Sequence, residues 1–130
     1  MKPSFVRILF VIAAIYDGIL GAAFIFAPHA VLSAFGVTPP NHWGYLQFPG
    51  ALLITFALLY VAVAREPVGN RNLIPFGAML KVSYCAVVFG YWFTSGIPDM
   101  WKPFALADLV FLVLFLVAYG SLGSEVRKPA

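Results

Sequence analysis

Three ionisable residues stand inside otherwise apolar stretches of this 130-residue chain: Asp17, Lys81 and Asp108. An ionisable side chain at the centre of a membrane helix costs about 2.5–3.5 kcal/mol on insertion scales, so such groups face inward and find partners. On the spans set out below, Asp17 lies about 18 Å and Lys81 about 13–14 Å from the same side of the membrane, at 1.5 Å per helical residue. Both are near mid-bilayer and opposite in charge, which makes an ion pair between the first and third spans the leading expectation. Asp108 enters its span from the other side, nearer the interface, and is an alternative or additional partner for Lys81.

The neighbours of these groups fit an inward orientation. Ala13, Asp17 and Gly21 repeat at i, i+4, as do Ala14, Gly18 and Ala22, and small residues at that spacing let helices approach closely. Gly77, Lys81, Tyr84 and Cys85 share one helical face, and Tyr16 sits beside Asp17 at the border of the same site. Two readings follow. The charges are an ionic staple that holds helices together, or the polar pocket of Asp17, Lys81, Tyr84, Tyr16 and Asp108 binds a ligand head group, moves protons or lines a transport path.

Other chemistry is sparse. Cys85 is the only cysteine, which excludes an intramolecular disulfide and a dithiol couple, and with them the Cys-x-x-Cys chemistry of quinone-linked disulfide generators and vitamin K epoxide reductases. Cys85 reads as a small core residue. His29 and His42, with Asp99 from a different loop, are the one set that an external metal would need, but their spacing fits no ligand motif. The chain has no glycine-rich phosphate loop, zinc-protease helix or nucleophile elbow, and no motif requires a cofactor.

The elements that must position these residues follow from composition. Apolar residues make up 62% of the chain and charged ones 10%, against about 45–50% and about 25% in a soluble domain. Four runs, 5–27, 45–64, 72–93 and 103–122, are each long enough to cross about 30 Å of hydrocarbon as a helix. Their apolar residues do not alternate, so barrel strands are excluded and an all-α, four-transmembrane-helix bundle in one domain is expected. The first run is longer than the apolar core of a signal peptide and is read as a permanent helix.

Lys2, Arg7, Arg65, Arg71, Arg127 and Lys128 fall on one side of these spans and Lys102 on the other. Trp43, Trp92, Trp101, Tyr45 and Tyr91 map to the side opposite the positive charges. Positive charge marks the cytoplasmic face and aromatic rings favour the interface, so both termini are expected in the cytoplasm of a bacterial inner membrane. The net charge of +3 reflects this topology and carries no nucleic-acid signature.

Between the first two spans, residues 28–36 read as a short interfacial helix, with proline near its start and glycine at its end. Pro49 lies early in the second span, where the helix either starts near Gln47 or kinks. Glu66 to Asn70 form a tight polar turn before the third span.

The chain resembles the small DoxX-like bacterial membrane proteins and related four-helix families. The resemblance rests on the first helix around Asp17 to Gly21, on Ala27 and Pro28, on the exit through Phe35, Gly36 and Val37, and on Asn70 to Pro75 leading to Lys81, Val82, Ser83, Tyr84 and Cys85. It implies a membrane-embedded four-helix bundle and supplies no catalytic residues. The chain is also similar in size to small multidrug resistance transporters, with Asp17 as the carboxylate of the first helix. Two features depart from that pattern: Lys81 would compete with a cationic substrate, and the six-to-one charge bias disfavours dual topology. The expected function is therefore non-catalytic, either as an accessory or assembly subunit of a membrane complex or as a binder of a lipophilic small molecule, with a small proton-coupled transporter using Asp17 as the alternative. The partners expected are the lipid bilayer, a membrane-protein partner or second copy, and a lipid or quinone, with no nucleic acid.

Overall fold

The computed structural model describes residues 1–129. Helix α1 (Pro3–Phe26) is followed by short α2 (Pro28–Ala34), α3 (Gly44–Arg65), a 3-10 turn (Arg71–Leu73), α4 (Ile74–Trp92) and α5 (Trp101–Val126). Four stretches, Pro3–Phe26, Gly44–Arg65, Arg71–Trp92 and Trp101–Val126, are long and apolar enough to cross a membrane, and the chain is an all-helical four-helix bundle.

The distribution of side chains is that of a protein dissolved in lipid. Phe5, Ile8, Ile12, Ile15 and Ile19 run exposed down the outside of α1, while the inside is built from small residues and a few aromatic rings. Close backbone approach follows where those small residues meet. At the crossing of α1 and α3, a Cβ on Gly21 would lie 2.6 Å from the Gly50 carbonyl oxygen, and one on Gly50 would lie 2.9 Å from that of Gly21. Neither helix could come so near with any other residue there.

Helices α1 and α3 form one close pair, and α4 and α5 the other. Two apolar clusters tie the pairs together. Toward the end that carries both termini, Phe10 of α1 stacks on Phe115 of α5 at 4.5 Å between ring centroids, and Tyr60 of α3 meets Phe115 edge-on at 5.3 Å. Toward the opposite end, Phe24, Leu32, Leu46 and Met100 pack together, with Trp43 and Trp101 against them. Leu32 anchors α2 there, and Gly36, at φ +64°, ends it in the left-handed backbone that glycine adopts without cost.

Polar side chains bond backbone carbonyls in the last turns of the helices. Arg7 Nε donates to the Ala64 carbonyl at 2.9 Å, Asn70 Nδ2 to Ala62 at 2.8 Å, and Gln47 Nε2 to Ile25 at 3.1 Å. Arg71 Nε donates to the Tyr119 carbonyl at 2.8 Å, and its guanidinium lies 3.7 Å from the centre of the Tyr119 ring, beside Gly123. The Met1 amino group donates to Ser121 Oγ at 3.0 Å, placing the N-terminus beside the last turns of α5.

Helix α3 begins at Gly44, before Gln47, so Pro49 lies inside the helix and removes one bond of its ladder. Helix α5 begins at Trp101, with Pro103 in its first turn, where a missing N–H breaks no helical bond. That places Asp108 about 10 Å into the helix, deeper than a span starting at Pro103 implies.

Candidate functional site

Asp17 and Lys81 are both 0% exposed and Asp108 is 7% exposed, and they meet where α1, α4 and α5 converge. Lys81 Nζ donates to Asp17 Oδ1 at 3.0 Å and Oδ2 at 3.1 Å, and to Asp108 Oδ1 at 2.9 Å. An ammonium has three N–H donors, so Lys81 is fully engaged by two carboxylates at once. Asp108 is an additional partner, not an alternative one. The cluster joins the two helix pairs, with Asp17 from one and Lys81 and Asp108 from the other.

Aromatic rings surround the ammonium. Lys81 Nζ lies 5.2 Å from the ring centre of Phe111, 5.6 Å from Tyr16 and 5.7 Å from Tyr60, distances at which the negative ring faces attract a cation. The Tyr16 and Tyr60 hydroxyls are buried without a well-aligned hydrogen bond, and that of Tyr60 faces the Asp17 carboxylate. Tyr84 donates to the Trp101 carbonyl at 2.8 Å. Cys85 lies against α5, its Sγ 3.5 Å from the Ala105 carbonyl, as a buried core residue.

A cavity of about 420 Å³ opens beside this cluster, between the two helix pairs and toward the α2 end. Asp17 and Asp108 form its floor, with Tyr16, Tyr84, Phe104 and Trp101 among its walls. Much of the rest of the lining is aliphatic, from Leu20 on α1, Leu46 and Leu53 on α3, and Leu80 and Val88 on α4. Tyr45, Leu52 and Val87 line it yet are exposed, so it opens sideways along the seam of α3 and α4. Lys81, fully buried, does not line it, whereas both of its carboxylate partners do. Of the pocket expected from Asp17, Lys81 and Tyr84, the cavity is thus lined by Asp17 and Tyr84, with Asp108, while Lys81 stays outside the lining.

Tyr60 and Phe111 complete the cluster and are not singled out by the sequence reading. A signal for Tyr60 exists: it shares a helical face with Ala57 and Ala64, the small residues that turn inward. Phe111 leaves no comparable trace among the many phenylalanines.

The residues considered for an external metal are each engaged elsewhere. His42 Nδ1 accepts from the Gly44 N–H at 2.9 Å, and His29 packs edge-on against Trp43. Asp99 accepts from Lys102 at 2.6 Å, and that hydrogen bond and charge hold its carboxyl below the usual range. Among the described residues no group of three or more metal-ligating side chains converges. No protein-family model, curated protein or solved structure matches the chain, so the roles of these groups follow from their own geometry.

Proposed function

We propose that this protein is a non-catalytic membrane protein that binds a lipophilic small molecule in the cavity above Asp17 and Asp108. The observation that carries this reading is the cavity itself: about 420 Å³, lined mainly by apolar and aromatic side chains with Asp17 and Asp108 as its two acids. Small-molecule sites fall in the range of about 300–1,000 Å³ and pair apolar walls with a few placed polar groups. The side opening between α3 and α4 suits a ligand that arrives from the lipid. In the same reading the end bearing Lys2, Arg7, Arg65, Arg71, Arg127 and Lys128 faces the cytoplasm of a bacterial inner membrane.

A small proton-coupled transporter is the second reading, favoured by two carboxylates sharing one ammonium in mid-membrane. Binding by both oxygens of Asp17 to Lys81 weighs against Asp17 as the group that exchanges protons with a substrate.

Native mass spectrometry of the protein, extracted in mild detergent from its host membrane, tests the binding reading. The expected result is a small lipophilic molecule retained by the wild type and lost from Leu80→Trp, which fills the cavity. A wild-type protein with nothing bound, and no affinity for added lipophiles, would overturn it.

A further inference from the structure

The floor of the cavity is unequal. Asp17 has both oxygens bonded to Lys81 and a side chain 1% exposed. Asp108 gives only Oδ1 to Lys81; its side chain is 10% exposed and lines the cavity, and Oδ2 has no hydrogen-bond partner among the described residues. One acid therefore completes the staple, and the other keeps an acceptor free toward the ligand space.

The charges are unequal as well. At their ordinary ionisation the two carboxylates and one ammonium leave one net negative charge inside the bundle, where an uncompensated charge is costly. The titratable groups packed around Asp108 are Asp17 and Tyr16 from α1, Tyr60 from α3, and Lys81, Tyr84 and Cys85 from α4. Lys81 is the sole cation of that set and its donors are all taken. An anionic ligand would find no free positive partner here.

Aromatic side chains share the cavity wall with Asp108. Phe104 stands one helical turn before Asp108 on the same face of α5, and Tyr16 lies 6.4 Å from Phe104 between ring centres. Trp101 and Tyr84 continue the wall. Aromatic faces beside a carboxylate are the surroundings that hold an organic ammonium.

We infer that the ligand of this cavity is an amphiphilic monocation, an alkyl amine or quaternary ammonium, whose head pairs with Asp108 Oδ2 between aromatic rings while its tail fills the apolar cavity. Asp108 is then the ligand-binding acid and Asp17 the structural one. This inference rests on the cavity-binding reading above.

Isothermal titration of the full chain in mild detergent with decyltrimethylammonium and with 1-decanol tests it. The expected result is binding of the cation tighter than the alcohol by about tenfold or more, the scale of one desolvated charge pair. Asp108→Asn is expected to abolish that preference. Should Asp108→Asn fail to fold, the wild-type preference decides alone. Equal or tighter binding of decanol overturns the cationic class and leaves the cavity reading standing, as for a floor whose charge is balanced by a proton only. A preference that survives Asp108→Asn in a folded variant overturns the role of Asp108, and binding of neither probe overturns both readings.

Discussion

Lys81 binds both oxygens of Asp17, at 3.0 and 3.1 Å, from the far side of a helix bundle. With Asp108 at 2.9 Å on its third donor, the lysine is the one group on which two buried charges depend. Removing it leaves two uncompensated carboxylates, whereas removing either acid leaves a matched pair. Breaking a buried pair costs about 3–5 kcal/mol, so Lys81→Met is expected to be the most damaging change at the site. Asp17→Asn should be milder, and Asp108→Asn, which brings the cluster to neutrality and leaves the bidentate pair intact, milder still. Thermal unfolding of the three variants in detergent gives the order, and a loss in Asp108→Asn equal to that in Lys81→Met would contradict it.

Tyr60 is fully buried, and its hydroxyl faces Asp17, whose oxygens are both taken by Lys81, without a well-aligned hydrogen bond. A buried hydroxyl left unpaired costs about 1–3 kcal/mol. Tyr60→Phe keeps the ring against Phe10, Phe115 and Lys81 and removes the unpaired group. Its melting temperature is expected to equal or exceed that of the wild type. A clear fall would mean that the hydroxyl is bonded in the membrane, and Asp17, across the same cluster, would be the group to examine.

The small residues of α1 are not equivalent, although their spacing treats them alike. A Cβ on Gly18 would meet Ala57 Cβ at 3.7 Å, an ordinary contact, while one on Gly21 would press to 2.6 Å on the Gly50 carbonyl, which cannot rotate away. Gly18→Ala is expected to be tolerated. Gly21→Ala should separate α1 from α3 and lower stability by about 1–3 kcal/mol, the range for overpacking a close-packed interior. Detergent-solubilised yield and unfolding temperature distinguish the two, and equal behaviour would mean that the helices cross elsewhere.

Those contrasts mark how far the sequence could be read. The number and length of the membrane helices follow from hydrophobicity alone, because lipid imposes one secondary structure on an apolar run of this length. The meeting of Asp17 and Lys81 was legible because opposite charges in hydrocarbon have few alternatives to each other. The position of Asp108 was less so: its depth depended on where α5 begins, and Pro103 reads equally well as a boundary or as a first-turn residue. The cavity was not legible. It arises from the gap between two close helix pairs, and nothing local to Leu53, Leu80 or Phe104 distinguishes a side chain that lines a space from one that fills it.

Orientation in the membrane gives the remaining test, since the depth of the cluster and the side from which its cavity opens both refer to it. Cys85 is buried against α5, so it is expected to resist maleimide until the protein is unfolded, and replacing it with serine clears the background. On that background Ser95→Cys lies in the exposed loop between α4 and α5, and Ser124→Cys lies near the end of α5, at the end rich in Lys and Arg. With the positive end cytoplasmic, a membrane-impermeant maleimide applied to intact cells, or to spheroplasts where an outer membrane blocks access, should label Ser95→Cys and spare Ser124→Cys, and detergent should make both reactive. The reverse pattern would invert the bundle and turn the cavity, with Asp108 at its floor, toward the inner leaflet. Labelling of both in intact cells would mean a mixed topology, in which six positive charges against one fail to set direction.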